Sequence, residues 1–276
     1  MNAIHIDLDD YILTGGGANG ESYDHRSDPS VMLKLYFPGK IQQPLDEMTM
    51  ARKVYDAGIP TPEPGEFVVT DDGRYGIRFR RIEGKKSFAR ATADHPEDVA
   101  RYAGEFARMC RQLHETEVDI SVFENIKDRY YRLLDESPFF NLSEKDKIRR
   151  FISDTPDRCT AIHGDLQFGN AIFVGDRRYF IDLGDFCYGH PLFDLGMVYL
   201  CCNLSPESFI LEAFHMSKAL AIEFWRHFAS AYFGEGCSLE EIEALVRPYA
   251  GLKTLIIERD FETPMPLFRA ALSSIR

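Results

Sequence analysis

His163-Gly164-Asp165-Leu166-Gln167-Phe168-Gly169-Asn170, followed by Ile181-Asp182-Leu183-Gly184-Asp185, is the most informative stretch of this 276-residue chain. Asp182 lies twelve residues after Asn170. Two strand patterns, Ala171 to Val174 and Tyr179 to Asp182, separate the two segments around a Gly175-Asp176 turn. They would bring Asn170 and Asp182 close together. The polar side chains divide two tasks. Asp165 suits the orientation and deprotonation of a hydroxyl. The Asn170 amide oxygen and the Asp182 carboxylate are hard oxygen ligands suited to Mg²⁺. Phosphoryl transfer from ATP needs both. A lone His-Gly-Asp is compatible with an ordinary turn; the eight-residue run with an Asp at this spacing is much more specific.

Two charges upstream fit the same chemistry. In Val31-Met32-Leu33-Lys34-Leu35-Tyr36-Phe37, a strand by composition, alternation puts Lys34 on the face of Met32 and Tyr36. A helix over about 43–57 carries Glu47 on a stripe with Met50, Ala51 and Val54. A carboxylate on an apolar stripe is costly unless paired, and Lys34 is its natural partner. The pair would aim Lys34 at nucleotide phosphates. An edge-strand lysine that discourages aggregation is the plain alternative. Gly15-Gly16-Gly17-Ala18-Asn19-Gly20 matches GxGxxG, but Asp24, Asp28 and Pro29 follow and lead into a strand. That excludes the strand-to-helix context of a dinucleotide fold. A flap between antiparallel strands fits better, with Gly15, Gly17 and Gly20 letting backbone N–H groups approach phosphate. An ordinary hairpin loop accounts for the glycines equally well.

The rest of the chain frames these pieces. Ile4, Ile6 and Leu8 alternate as a strand, and Glu66 to Thr70 and Tyr75 to Arg81 are strands around the Asp71-Asp72-Gly73 turn. Ile82 to Lys86 reads as a linker, with Lys85 and Lys86 solvated. Helices follow, the first capped by Asp94 with Glu97, others opened by Ser143, Ser205-Pro206-Glu207 and Ser238. The expected organisation is a nucleotide-binding lobe over 1–81, a hinge over 82–86 and a helical lobe over 87–276. Trp225 sits in an amphipathic helical pattern and reads as core.

Lys and Arg number 32 against 44 Asp and Glu, a net charge of −12, with 45% hydrophobic residues. This excludes a disordered or fibrous chain and argues against sequence-independent nucleic-acid binding, which needs a basic face. The acidity hints at cationic partners or metal-bridged anions. Six cysteines without a CxxC, an N-terminus without a basic or apolar leader region, and no apolar run near 18 residues lead to the expectation of a reduced, cytoplasmic protein with no membrane partner.

His163 to Asn170 with Ile181-Asp182-Leu183-Gly184-Asp185-Phe186-Cys187-Tyr188-Gly189-His190-Pro191-Leu192-Phe193-Asp194-Leu195-Gly196 resembles the aminoglycoside phosphotransferase and choline kinase superfamily, relatives of protein kinases. Lys34, Glu47, Ala57-Gly58-Ile59-Pro60-Thr61-Pro62, Leu113-His114 and Phe193-Asp194-Leu195 extend the resemblance over about residues 10–200. It implies an α+β, two-lobed, protein-kinase-like fold, with a small antiparallel-sheet N-lobe and a larger helical C-lobe. It also implies ATP as co-substrate, Mg²⁺ held by Asn170 and Asp182, Asp165 as catalytic base, and transfer of the γ-phosphate to a hydroxyl of an aminoglycoside, an amino alcohol or a sugar. Gly164 and Gln167 stand where protein kinases carry Arg and Lys, which disfavours a protein kinase. A catalytically silent nucleotide-binding regulator is the other reading. His163 and His114 are expected to organise the loop by hydrogen bonding, and Asp194 to accept its backbone N–H groups. Asp185 is open between the metal's surroundings and the substrate.

Overall fold

The computed structural model describes residues 2–16, 19–39, 41–273 and 275. Two compact units emerge: Met1–Lys86 with Ile172–Gly184, and Ser87–Ala171 with Asp185–Arg276.

The first unit is built on a six-stranded sheet of β1 (Ile4–Ile6), β2 (Tyr11–Gly16), β3 (Gly20–His25), β4 (Val31–Tyr36), β5 (Pro64–Thr70) and β6 (Tyr75–Arg80), in the order β1-β5-β6-β4-β3-β2. All pairings are antiparallel except β1 with β5, so the sheet is mixed. Alternation breaks off after Ile6, and Leu8 opens a short 3-10 turn instead of extending the strand. Leu33, Leu35 and Val68 are fully buried with Ile6, Tyr11 and Tyr23 in one core cluster. The β5–β6 turn is closed by Gly73, whose φ of 79° and N–H to the Thr70 carbonyl (2.9 Å) need a residue without Cβ strain. Helix α1 (Gln42–Asp56) buries Met48, Ala51 and Val54 and ends at Gly58, φ 78°.

Strand β7 (Lys86–Ser87) stands at the boundary of the units. In the second unit come α2 (Phe88–Asp94), α3 (Val99–Glu115), α4 (Ile126–Glu136), α5 (Leu142–Asp154) and β8 (Ala161–Ile162). The hairpin β9 (Ala171–Val174) and β10 (Arg177–Phe180) belongs mainly to the first unit, where the Phe180 N–H donates to the Pro60 carbonyl (2.8 Å). The second unit resumes with β11 (Cys187–Tyr188), paired with β8, and α6 (Leu192–Tyr199), which runs into a π-helical turn over Leu200–Leu204. It closes with α7 (Glu207–Phe214), α8 (Lys218–Phe233), α9 (Leu239–Phe261) and α10 (Pro266–Leu272).

Some helix starts differ from expectation. Asp94 ends α2 rather than capping a helix, because Pro96 cannot continue the hydrogen-bond ladder; α3 starts at Val99 after a 3-10 turn. Asn141, not Ser143, caps α5, in a reciprocal capping box with Glu144. Ser238 and Glu241 form the expected box at α9. Trp225 is fully buried and donates its indole N–H to Glu243 Oε1 (3.1 Å). Among the described residues no helix is long and apolar enough to cross a membrane.

Candidate active site

In the first unit, Lys34 on β4 donates to Glu47 Oε1 on α1 at 2.7 Å and to Asp182. The Tyr36 hydroxyl donates to the other Glu47 oxygen. The Lys34 and Glu47 side chains are only 20% and 13% exposed, and the Asp182 side chain is 51% exposed. Burial works against the Lys34 charge, but the Asp182 and Glu47 carboxylates outweigh it and raise its pKa above the ordinary lysine value. Burial, then Glu47, pushes the Tyr36 phenol up, so Tyr36 stays a neutral donor. Asp182 has φ 59°, a left-handed conformation uncommon outside glycine. Such backbone persists where the surroundings impose it, often at functional sites.

These charges face a pocket also lined by Met32, Phe79, Ile172 and Ile181. The lining thus combines apolar side chains with the Lys34 cation. Lys85 lines the same pocket, its ammonium 3.7 Å from Met32 Sδ, and burial lowers its pKa. It is therefore not the purely solvated charge expected of a linker.

The glycines divide. Gly15 and Gly16 sit at the β2–β3 hairpin with open space where a side chain would begin: a Cβ on Gly15 would lie 4.0 Å from Ser22 Cβ, and one on Gly16 would meet nothing within 4 Å. Gly17 falls outside the described residues. Gly20 is buried, and a Cβ there would lie 2.2 Å from the Leu35 carbonyl oxygen, so packing of β3 on β4 already demands a glycine. Lys34 stands opposite Ser22 in that strand pair.

In the second unit, the 163–170 loop is anchored by its apolar members. Leu166 and Phe168 are fully buried, and Phe168 packs on Phe214 and Phe224 with ring centres 4.3 and 4.9 Å away. The polar members are tied to one another. Asn170 Nδ2 donates to the Asp165 carbonyl (3.1 Å) and to Asp165 Oδ2 (3.0 Å). With its nitrogen committed to Asp165, the Asn170 amide has its oxygen as the end that could hold a metal. The Asp165 N–H donates to His163 Nδ1 (3.3 Å).

Asp194 holds the base of this loop. Its carboxylate is wholly buried and accepts the His163 N–H (2.7 Å), the Gly164 N–H (2.9 Å) and a hydrogen bond from His114 Nε2 (3.1 Å). His114 Nδ1 pairs with the Tyr232 hydroxyl at 2.8 Å. Burial works against the Asp194 charge, but His114, His163 and Lys253 outweigh it and hold its carboxyl below the usual range. Both histidines thus organise the loop, as expected of them. Gly164 has φ 85°, and a Cβ on it would lie 2.0 Å from the Asp185 carbonyl oxygen. Asp185 itself is bound through that carbonyl by Arg129 (2.6 Å), with the carboxylate 3.5 Å away.

Three participants escaped the sequence reading: Tyr36, Arg129 and Lys253. Lys253 is 3% exposed and donates to the Gly164 carbonyl at 2.5 Å. Its signal was present, a lysine inside the apolar run Ala250 to Ile257, of the kind that singled out Lys34.

The model of a family described as "Phosphotransferase enzyme family" matches residues 13–228. Solved structures share the fold. A thermostable mutant of the aminoglycoside phosphotransferase APH(4)-Ia is 14% identical, with a TM-score of 0.60, 97% of this chain and 94% of that chain being covered. The amicoumacin kinase hAmiN, solved with AMP-PNP, Ca²⁺ and Ami, is 17% identical at a TM-score of 0.56, covering 99% and 88%. A choline/ethanolamine kinase family protein from Mesorhizobium loti is 19% identical at 0.52, covering 95% and 83%. No curated protein matches the chain.

Proposed function

The chain belongs to the phosphotransferase enzyme family, and we propose that it moves the γ-phosphate of ATP, with Mg²⁺, to a hydroxyl of a small molecule such as an aminoglycoside, a choline-like amino alcohol or a sugar. The observation that carries this reading is Lys34 gripped by Glu47 and Asp182 on the wall of an apolar-sided pocket. A buried ion pair is a poor stabiliser of a fold, and this one points its cation where nucleotide phosphates would lie.

In this reading residues 1–81 bind the nucleotide, 82–86 form the hinge, and 87–276 supply the catalytic loop and the acceptor site. The glycine hairpin, with Gly15, Gly17 and Gly20, covers the phosphates. Lys34 binds them, and Glu47 and Tyr36 hold Lys34 in place. Asp165 accepts the acceptor's hydroxyl proton and directs its oxygen at the γ-phosphate. Asn170 and Asp182 are the residues that would hold Mg²⁺, and their donor set fits: one carboxylate and one amide oxygen, both hard ligands. Mg²⁺ would neutralise charge on the phosphate oxygens. Gly164 disfavours a protein kinase, since the conformation and the contact with Asp185 leave no room there for an arginine side chain.

The test is ADP release from Mg-ATP over a panel of hydroxyl acceptors, with ³¹P NMR of the product. Acceptor-dependent ADP release and a new phosphate monoester are expected. Nucleotide binding without turnover on any acceptor would favour the silent regulator.

A further inference from the structure

Lys253 is a buried cation that the phosphotransfer scheme does not use. It projects from α9 into the base of the catalytic loop, where its ammonium bonds the Gly164 carbonyl at 2.5 Å. Its approach is fixed by the crossing of α6 and α9. A Cβ on Gly196 would lie 2.5 Å from the Tyr249 carbonyl carbon, so the helices touch backbone to backbone there. Asp194 is two residues before Gly196, and Lys253 is one turn after Tyr249. The crossing therefore delivers an anion and a cation to the same turn of the loop.

The two bind opposite sides of Gly164. Asp194 Oδ1 takes the Gly164 N–H at 2.9 Å, and Lys253 takes its carbonyl. The peptide plane leading into Asp165 is thus held at its oxygen by Lys253 and at its N–H by His163 Nδ1. We propose that Lys253 is a positioning residue for Asp165, its ammonium fixing the 164–165 peptide and hence the direction of the Asp165 carboxylate. The inference rests on Asp165 as the base. Burial acts to strip the Lys253 proton, but the Asp194, Asp165 and Asp185 carboxylates outweigh it and keep the ammonium charged. Tyr130, its ring centre 6.0 Å from Nζ, has its own pKa raised by burial and stays neutral.

A lysine that only neutralised Asp194 would affect stability and leave turnover in the folded enzyme alone. The experiment compares Lys253→Met, Lys253→Gln, Asp165→Asn and the double variant Lys253→Met/Asp165→Asn. ADP release from Mg-ATP with water as acceptor gives kcat and the KM for ATP, alongside thermal melts. A shift of about 1 Å in a reacting group costs ~10²-fold. Lys253→Met should lower kcat by that order with the ATP KM within about twofold. Lys253→Gln, which keeps a donor, should recover part of the loss. In the double variant Lys253→Met should add less than ~3-fold to the loss from Asp165→Asn, since both act on one step. A Lys253→Met kcat within ~3-fold of wild type, while Asp165→Asn is impaired, overturns the inference. So do losses that multiply in the double variant. If neither Lys253 variant folds, Lys253 serves the fold and the inference is again overturned. Unimpaired Asp165→Asn would instead remove the base assignment itself.

Discussion

The Lys34 ammonium stands 2.7 Å from Glu47 Oε1, with Asp182 as its second carboxylate partner. One cation between two anions keeps a carboxylate partner when the other loses its charge. Glu47→Gln keeps one acceptor oxygen for Lys34 and turns its NH2 group toward the Tyr36 hydroxyl, which can accept from it. Its melting temperature should stay within a few degrees of wild type, because desolvation offsets most of the pair's attraction. Turnover should fall by roughly 10-fold or more as Lys34 samples unproductive positions. Lys34→Met should lose more. Calorimetric melts and steady-state kinetics on the same preparations check both halves, and an unchanged kcat in Glu47→Gln would count against the positioning role.

Asp165→Asn should fold and bind nucleotide normally, because Leu166, Phe168 and Asp194 anchor the 163–170 loop and the substituted amide keeps an oxygen for the hydrogen bond that the Asp165 carboxylate accepts from Asn170. Turnover should drop by ~10²–10⁴-fold, the scale of a positioned acid–base group. Stopped-time ADP assays beside nucleotide titrations separate the two effects.

Local chemistry was legible and distant partnership was not. Lys34 and Glu47 could be paired from sequence because each broke an apolar pattern and they lie thirteen residues apart. The buried anchors of the 163–170 loop, Leu166 and Phe168, alternate with polar residues, a pattern the polar motif overshadowed. Asp182 as a partner of Lys34 is 148 residues away, and Lys253 as a partner of Gly164 is 89 away. Periodicity carries no information over such distances. Gly20 was read for its freedom near phosphate, whereas the approach of the Leu35 carbonyl already requires it. A Cβ clash with a neighbouring strand has no sequence signal.

Asp194 makes a pH prediction with a definite sign. Its folded pKa lies below the usual carboxylate value, so the unfolded chain binds the proton first. The stabilisation is complete above the unfolded pKa, about 3.9, and is lost as pH falls through the lower folded value. Asp194→Asn removes a buried charge facing His114, His163 and Lys253 and should cost about 3–5 kcal/mol near neutral pH. Urea unfolding from pH 7 down to about 2.5 should show the gap between wild type and variant constant down to about pH 5 and closing below about 3.9. A gap that widened on acidification would contradict the assignment.

Gly164 and Gly175 form a matched pair for separating backbone strain from crowding. Both have positive φ, 85° and 55°. A Cβ at Gly175, in the β9–β10 turn, meets nothing within 4 Å, while one at Gly164 would sit 2.0 Å from the Asp185 carbonyl oxygen. Gly175→Ala should therefore cost only the conformational strain, of order 1 kcal/mol, and leave kinetics unchanged. Gly164→Ala must push the 164–165 peptide away from Asp185, and with it the bonds to Asp194 and Lys253. In the proposed reading the Asp165 carboxylate is carried along, so kcat should fall by ~10²-fold, while the ATP KM, which that reading assigns chiefly to Lys34 and its pocket, stays near wild type. Melts and kinetics of the two variants in parallel give the comparison. Equal activity in both would mean that the loop adapts to a methyl group without moving Asp165, and the tight geometry at Gly164 would then have no part in catalysis.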